Sequence, residues 1–431
     1  MAGASTAGLL AGCGEQADGN GNGNGNGNGN GNNTVTTIQD TNCPEGCDCS
    51  IVEPEATSGT FELWHNRSPA AADLLDTTKN RFNARGGPQV EVTEIPSNYV
   101  DKLRNDLNAN QGPDAFQWAH DIIGEFVGNE MLRDVSDDLR VDECMFTDRA
   151  WEAVNWDGGV YGLPFAAETP ALIYNQDILD DLGAEPPETI EDMKSIMDDY
   201  DGQYGFGQPI DSYHVTWAAH MFGSVLYDGE ELGLEDPEFA EGLRVLFEEL
   251  KPYMPADGAY EAQTAIFADG VAPFMLTGPW EITGIIEGAD FNVGVTTIPD
   301  KGDGTARPYM GIQVLFLSNM AEEGSDTAQA TREFAEWYAT SDERQLNLAN
   351  NAGYLPTKSN LSGSDQLPPL VRGFTNQTEE AVLMPKNPDL AEVWGPFEDV
   401  VSTAFSQGLD SVDLESELES AAQDIRQAWN E

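Results

Sequence analysis

The sequence predicts an α/β fold built as two domains or as one two-lobed unit, with a flexible leader ahead of it. Three observations carry that reading. From Thr60 to Trp118, short strand-like runs alternate with amphipathic helical stretches. That β-α-β-α-β order implies a parallel sheet with helices on its faces. The chain has 431 residues, more than the roughly 250–300 at which a single core stops growing. Apolar residues make up 40% and nine residues are Trp, so a core can form despite the heavy charge.

The leader comes first. Leu10-Ala11-Gly12-Cys13 has the form of a lipid-attachment signal, in which the cut falls before Cys13 and its thiol carries the lipid. The Gly-Asn run from Gly19 to Asn32 has no side chain able to build a core, so it reads as a tether. Met1–Gly12 holds no Lys or Arg, whereas a signal peptide opens with positive charge. The natural start is therefore expected upstream. No other run of about 18 or more apolar residues is present, so no spanning helix is expected. Residues 1–57 are assigned to leader and tether, with order beginning near Thr60.

Phe61-Glu62-Leu63-Trp64 reads as a strand. Ser68–Ala84 reads as a helix, capped by Ser68, with Pro69 in its first turn and Leu74, Leu75, Thr78 and Phe82 on one face. Val90–Ile95 alternates as a strand, Asn98–Asn108 is helical, and Asp114–Trp118 is a strand ending in a polar loop. In open sheets of this kind ligands bind beyond the carboxyl ends of the strands. Trp156–Tyr161 reads as a hairpin turning on two glycines, and Ala171–Asn175 as a strand. Thr189 with Asp192 forms a capping box for a helix reaching Tyr200. Asp236–Leu250 is helical. Val271–Thr277, Phe291–Ile298 and Ile312–Leu317 are strands, and the chain after Ser325 is nearly all helix.

The charge narrows function. There are 76 acidic and 20 basic residues, a net charge of −56. In about 1 M salt the screening length falls to about 3 Å, so such a surface stops repelling itself. A hypersaline medium is expected. No basic patch could neutralise phosphates, which excludes nucleic acid as a partner. Asp300-Lys301-Gly302-Asp303-Gly304 lacks the spacing and closing Glu of a calcium loop and reads as a turn. Cys43, Cys47, Cys49 and Cys144 remain after Cys13, and their spacing fits no zinc site. Outside a cell a local disulfide is the expected fate of the cluster, with connectivity left open. Neither metal nor cofactor is expected.

Aromatics at element ends point to the function. Trp118, Trp280 and Trp394 each sit beside turn or loop residues. An indole offers a flat apolar face on which the C–H face of a pyranose ring stacks, and one donor. The sugar hydroxyls then need carboxylates, and Asp121 and Glu168 follow strand ends in the same part of the chain. Any one Trp taken singly is better read as packing; the set carries the argument.

Gly112-Pro113-Asp114 followed by Trp118-Ala119-His120-Asp121 resembles the maltose/maltodextrin-binding proteins of ABC importers. Trp151-Glu152-Ala153-Val154, Pro164–Glu168 and Leu172–Asn175 continue the resemblance. So do Met254–Tyr260, Gly278-Pro279-Trp280, Gly294-Val295-Thr296, and Met384-Pro385 with Trp394. It covers nearly everything after Thr60, and with the charge it resembles a halophilic archaeal type.

The resemblance implies a periplasmic-binding-protein-like fold, with ligand held between two hinged lobes. Lobe 1 is assigned residues 58–166 and 313–357, and lobe 2 residues 167–312 and 358–431. It implies stacking platforms at Trp118, Trp280 and Trp394, and pocket lining at Tyr260 and Met384. Asp121 and Glu168 become acceptors of sugar hydroxyls. Tyr213 is the aromatic of the second lobe, with His214 competing for the place and Asp211 or Ser212 standing where the family has Glu.

Three departures stand out. Ile122 replaces a basic residue, Gly395 replaces an aromatic, and His65-Asn66-Arg67 replaces an Asp-Lys pair, with Arg67 as the substitute. The protein implied is a single-chain, non-enzymatic, lipid-anchored component at the outer face of the cell membrane. It passes oligosaccharide to permease subunits. Another sugar ligand, or a surface glycosidase, is the alternative; no Gly-x-Ser-x-Gly elbow is present.

Overall fold

The computed structural model describes residues 43–430. The Leu10–Cys13 signal and the Gly-Asn run lie outside the described residues. In chain order the strands are β1 (Thr60–His65), β2 (Gln89–Glu94), β3 (Ala115–Ala119), β4 (Asn155–Trp156), β5 (Gly159–Val160) and β6 (Gly162–Glu168). Then follow β7 (Ala171–Asn175), β8 (Phe206–Gly207), β9 (Phe274–Thr277), β10 (Val293–Thr296), β11 (Tyr309–Leu317) and β12 (Val382–Leu383).

The expected parallel unit forms. β1 pairs in parallel with β2 on one side and β3 on the other. β11 extends this sheet, antiparallel to β3 and β6 and parallel to the short β12, giving six strands. All nine residues of β11 are buried, so its run YMGIQVLFL is apolar rather than alternating. A four-stranded sheet in the order β10-β7-β9-β8 forms the second layer. It is covered on both faces: Ala171 and Ile173 of β7 enter one core, and Leu172 enters the other. The first core centres on Phe61, Phe82, Phe116, Phe316 and Phe334. The second centres on Trp217, Tyr227, Phe239, Tyr309 and Phe397.

Most elements fall where periodicity puts them. Helix Ile190–Asp199 starts as a capping box should, Thr189 Oγ1 accepting from Asp192 N at 3.1 Å. Helix Pro69–Asn83 starts without the expected cap bond from Ser68, because the fixed φ of Pro69 already suits the first turn. The Asp236–Leu250 helix is regular only over Pro237–Arg244. It then widens to π-turns over Val245–Leu250, which sends Val245, Leu246, Phe247 and Leu250 into the core.

Residues 43–57, expected as the end of the tether, are instead held on the body. Disulfides join Cys43 to Cys49 and Cys47 to Cys144. Glu333 Oε2 accepts from the backbone N–H groups of Glu55 (2.5 Å) and Ala56 (2.6 Å), and Thr340 Oγ1 from that of Val52 (2.8 Å). The fully buried Lys358 ammonium donates to the Cys49 carbonyl at 2.7 Å and to Asp342. Composition alone suggests loose chain here. A buried ion and an acceptor pair that need these backbone groups bind it.

Candidate functional site

The site lies where strands of the first sheet end beside loops of the second core. β3 ends in a turn, His120–Ile122, that opens helix Ile123–Gly128. His120 Nδ1 accepts from Ile312 N at 3.1 Å, which leaves Nε2 to donate to the Met384 carbonyl at 2.8 Å. Burial lowers its pKa to about 4, so it is neutral at pH 7. His120 therefore pins β3, β11 and the Met384 segment together rather than facing a ligand. Gly124 allows a second close approach: a Cβ there would stand 2.3 Å from the Lys386 carbonyl oxygen.

Those two contacts bring Trp118 of β3 to the same cavity as Trp394, which rides the first turn of helix Ala391–Gln407. With Asp121 they line one cavity of about 290 Å³. Trp118 also packs against Tyr99 (5.5 Å between centroids), and Trp394 meets the edge of Tyr309 at 6.0 Å. Asp121 Oδ1 is buried with no hydrogen-bond partner. Burial, with the charges of Glu168 and Glu125, pushes its carboxyl up to about 7.

Beside it runs a polar chain from Arg67 through Gln313 to Glu168. Arg67 Nη1 donates to Gln313 Oε1, and Gln313 Nε2 donates to Glu168 Oε1 at 2.6 Å. The Arg67 guanidinium lies over Tyr354 (4.4 Å) and Phe165 (5.3 Å), and its Nη2 has no partner. Burial raises the Glu168 pKa against the opposing pull of Arg67 and Gln313. Met384, buried, approaches the same corner: its Cε and Glu168 Oε1 both lie within 3.4 Å of where a Gly311 Cβ would be.

The turns around the second sheet contribute an aromatic group. Trp280, in the turn after β9, donates through Nε1 to Tyr260 Oη at 2.7 Å, and Tyr260 Oη donates to Glu281 at 2.7 Å. Tyr213 and His214 pack on Trp280 with centroids 6.3 and 5.9 Å away. His214 is held by Asp211, its Nδ1 2.8 Å from the carboxylate. Burial alone would raise Asp211, but His214 and three hydrogen bonds hold it below its ordinary value. Tyr213 Oη donates to the Tyr309 carbonyl at 3.3 Å, which joins this group to Trp394. Burial raises the Tyr213 pKa strongly, and Glu168, Asp211 and Asp121 add to it.

All nine expected residues therefore meet in one region. The sequence reading missed Gln313, Tyr309, Glu281 and Tyr354. One signal was available: Gln313 is the single amide in the apolar run of β11, and a buried amide must find partners. Of the two residues expected where the family has Glu, Asp211 is engaged by His214, and the Ser212 backbone N–H donates to Glu398 at 2.6 Å. The sulfurs of Cys43, Cys47 and Cys49 lie within 4.8 Å of one another, but all three are in disulfides and offer no thiolate.

Residues 77–369 match the family described as bacterial extracellular solute-binding protein. A maltotriose-binding protein of Pyrococcus abyssi is 34% identical over 358 residues, 80% of this chain and 77% of that one. A maltooligosaccharide ABC transporter solute-binding lipoprotein of Streptococcus pneumoniae is 23% identical over 334 residues, 72% of this chain and 76% of that one. The solved Thermus thermophilus maltotriose-binding protein, bound with maltotriose, superposes with a TM-score of 0.75 at 23% identity. That match covers 85% of this chain and 99% of the other, and it shows a shared two-lobed α/β fold.

Proposed function

The chain belongs to the bacterial extracellular solute-binding proteins, and from that premise we propose that it binds maltodextrin-like oligosaccharides for an ABC importer. The observation that carries this is the convergence of Trp118, Trp280 and Trp394 with the unpartnered Asp121 Oδ1 and Arg67 Nη2. Flat apolar faces and free hydrogen-bonding atoms in one place suit a ring that is apolar on its faces and hydroxylated at its rim. The names of the Pyrococcus and Streptococcus relatives support the choice of glucan.

The mechanism is hinge closure between residues 58–166 with 313–357 and residues 167–312 with 358–431. The open form exposes the indoles. Sugar bridges them, and contacts made only in the closed form shift the population toward it. The closed complex then docks on permease subunits as a single chain. Ligand leaves unaltered, so malto-oligosaccharides incubated with the protein stay full length on chromatography. The Streptococcus lipoprotein supports a lipid on Cys13, which holds the protein at the outer face of the membrane.

Calorimetric titration with maltose, maltotriose, longer dextrins and unrelated sugars in concentrated KCl tests the reading. Saturable heat is expected for the glucans only, and none for any glucan would end it. The net charge of −56 supports work in high salt. The unfolding midpoint is expected to rise steeply from dilute buffer to about 1 M KCl, where the screening length is about 3 Å. A midpoint indifferent to KCl would remove the salt reading and leave the sugar reading standing.

A further inference from the structure

The cavity at Trp118 and Trp394 is also lined by two charged residues that are not among the nine expected ones. We infer that Arg104 and Glu125 form a chain-end subsite there, which holds an uncharged sugar ring and turns away an anionic one. The inference rests on the oligosaccharide reading above and deepens it.

Arg104 and Glu125 line the same cavity as Trp118, Asp121 and Trp394. They come from separate helices, Tyr99–Asn108 and Ile123–Gly128. Arg104 Nε donates to Glu125 Oε1 at 2.5 Å and Nη2 to Oε2 at 3.0 Å, while Nη1 donates to Asp101 at 2.7 Å. A guanidinium carries five N–H donors in one plane. Three are used, so two remain, and the fork is already fixed before any ligand arrives. Glu125 keeps lone pairs beside them. A planar donor next to an acceptor matches two adjacent hydroxyls, each of which can donate and accept.

Size and charge set the selection. The cavity, about 290 Å³, lies at the lower end of the roughly 300–1,000 Å³ of small-molecule pockets, so it takes one end of a ligand. One guanidinium faces the carboxylates of Glu125 and Asp101, with Asp121 on the same wall. A phosphate or carboxylate on the incoming ring would meet an excess of negative charge. Ile122, also on the wall, offers only apolar surface.

The test is calorimetry in concentrated KCl on the full chain. The probes are maltotriose, and maltose phosphorylated at either the reducing or the non-reducing end. The native chain is expected to bind maltotriose and to reject at least one phosphorylated form. Arg104→Met and Arg104→Lys are expected to weaken maltotriose by about tenfold, the loss of one charged hydrogen bond. Lysine keeps charge and stem but not the fork, so its loss at an unchanged unfolding midpoint separates ligand contact from helix packing. Glu125→Gln is expected to recover binding of the rejected form by about tenfold. Native-like maltotriose affinity in both Arg104 variants, or unchanged rejection in Glu125→Gln, overturns the subsite alone. Failure of the native chain to bind any glucan overturns the functional reading and the subsite with it.

Discussion

The two halves of the site differ in how their polar atoms are used. On the side of the second sheet, Trp280 Nε1, Tyr260 Oη, Tyr213 Oη and His214 Nδ1 all have partners within the protein. On the first-sheet side, Asp121 Oδ1 and Arg67 Nη2 are buried and unpartnered. The satisfied half is a rigid surface: its rings are fixed before ligand arrives, so stacking loses little to ordering. The other half holds unmet hydrogen-bonding capacity, which is costly unless a ligand completes it. One half is built to be stacked upon and the other to be bonded to.

The largest expected effect probes the stacking surfaces. Trp280→Ala and Trp394→Ala should each cost about 2–4 kcal/mol of glucan affinity, the scale of a central aromatic contact. Their unfolding midpoints should move little, because both rings are only partly buried. If both variants bind as the native chain does, the aromatic side is core packing and the comparison collapses.

Asp121→Asn comes next and acts on the unsatisfied half. A lost charged hydrogen bond predicts about 1.5–3 kcal/mol of affinity. Stability should move the other way. The Asp121 carboxyl is pushed up to about 7 in the folded chain, from an ordinary value of 3.8. It binds a proton more readily folded than unfolded, so its contribution is present below about pH 4 and lost as pH rises through 7. Asn removes that slope, and its unfolding midpoint should exceed the native one above pH 7. A sugar hydroxyl donating to Asp121 favours the ionised form. Binding near pH 7 should therefore release part of a proton, read as a dependence of binding heat on buffer. No proton release in the native chain would place Asp121 off the ligand.

Much of this division could be read from residues in order, and part could not. The parallel β1–β3 unit was legible because its strands and helices each carry their own period. The candidate tryptophans were legible because each stands at an element end. The links between them were not. Gln313 lies 145 positions from the Glu168 it holds and 246 from Arg67. Such pairing depends on which strands become neighbours, here β11 beside β6 and β3. His120 stands between Trp118 and Asp121 in sequence, yet its two backbone bonds make it a pin between segments. The stretch from Cys43 to Thr57 has the composition of a leader. Only the buried partners Glu333 and Lys358, far along the chain, show why it is held.

Helix 282–288 follows Trp280 and supports an intermediate test. Gly353 has φ +76°, and a Cβ there would stand 2.4 Å from the Pro279 carbonyl oxygen and from Ile282 Cγ2. Gly353→Ala should push the 279–282 turn outward and carry Trp280 with it. The left-handed backbone alone costs roughly 1–2 kcal/mol of stability. Affinity should fall beyond what the lost stability explains, measured in calorimetry at a temperature where the variant is fully folded. Equal affinity there would mean that the position of Trp280 does not depend on this contact.

The smallest effect separates having a ring from aiming it. In Tyr260→Phe the ring stays, but Trp280 Nε1 and Glu281 lose the hydroxyl that joins them. Trp280 is partly exposed, so water can replace that acceptor, and the net loss should be about 0.5–1.5 kcal/mol. If the satisfied half works by fixing its rings in advance, this loss should appear as a less favourable binding entropy, because Trp280 must now be ordered by the ligand. A fall in affinity carried wholly by enthalpy would point instead to direct bonding between the Tyr260 hydroxyl and sugar. That result would move Tyr260 from the stacking half to the bonding half.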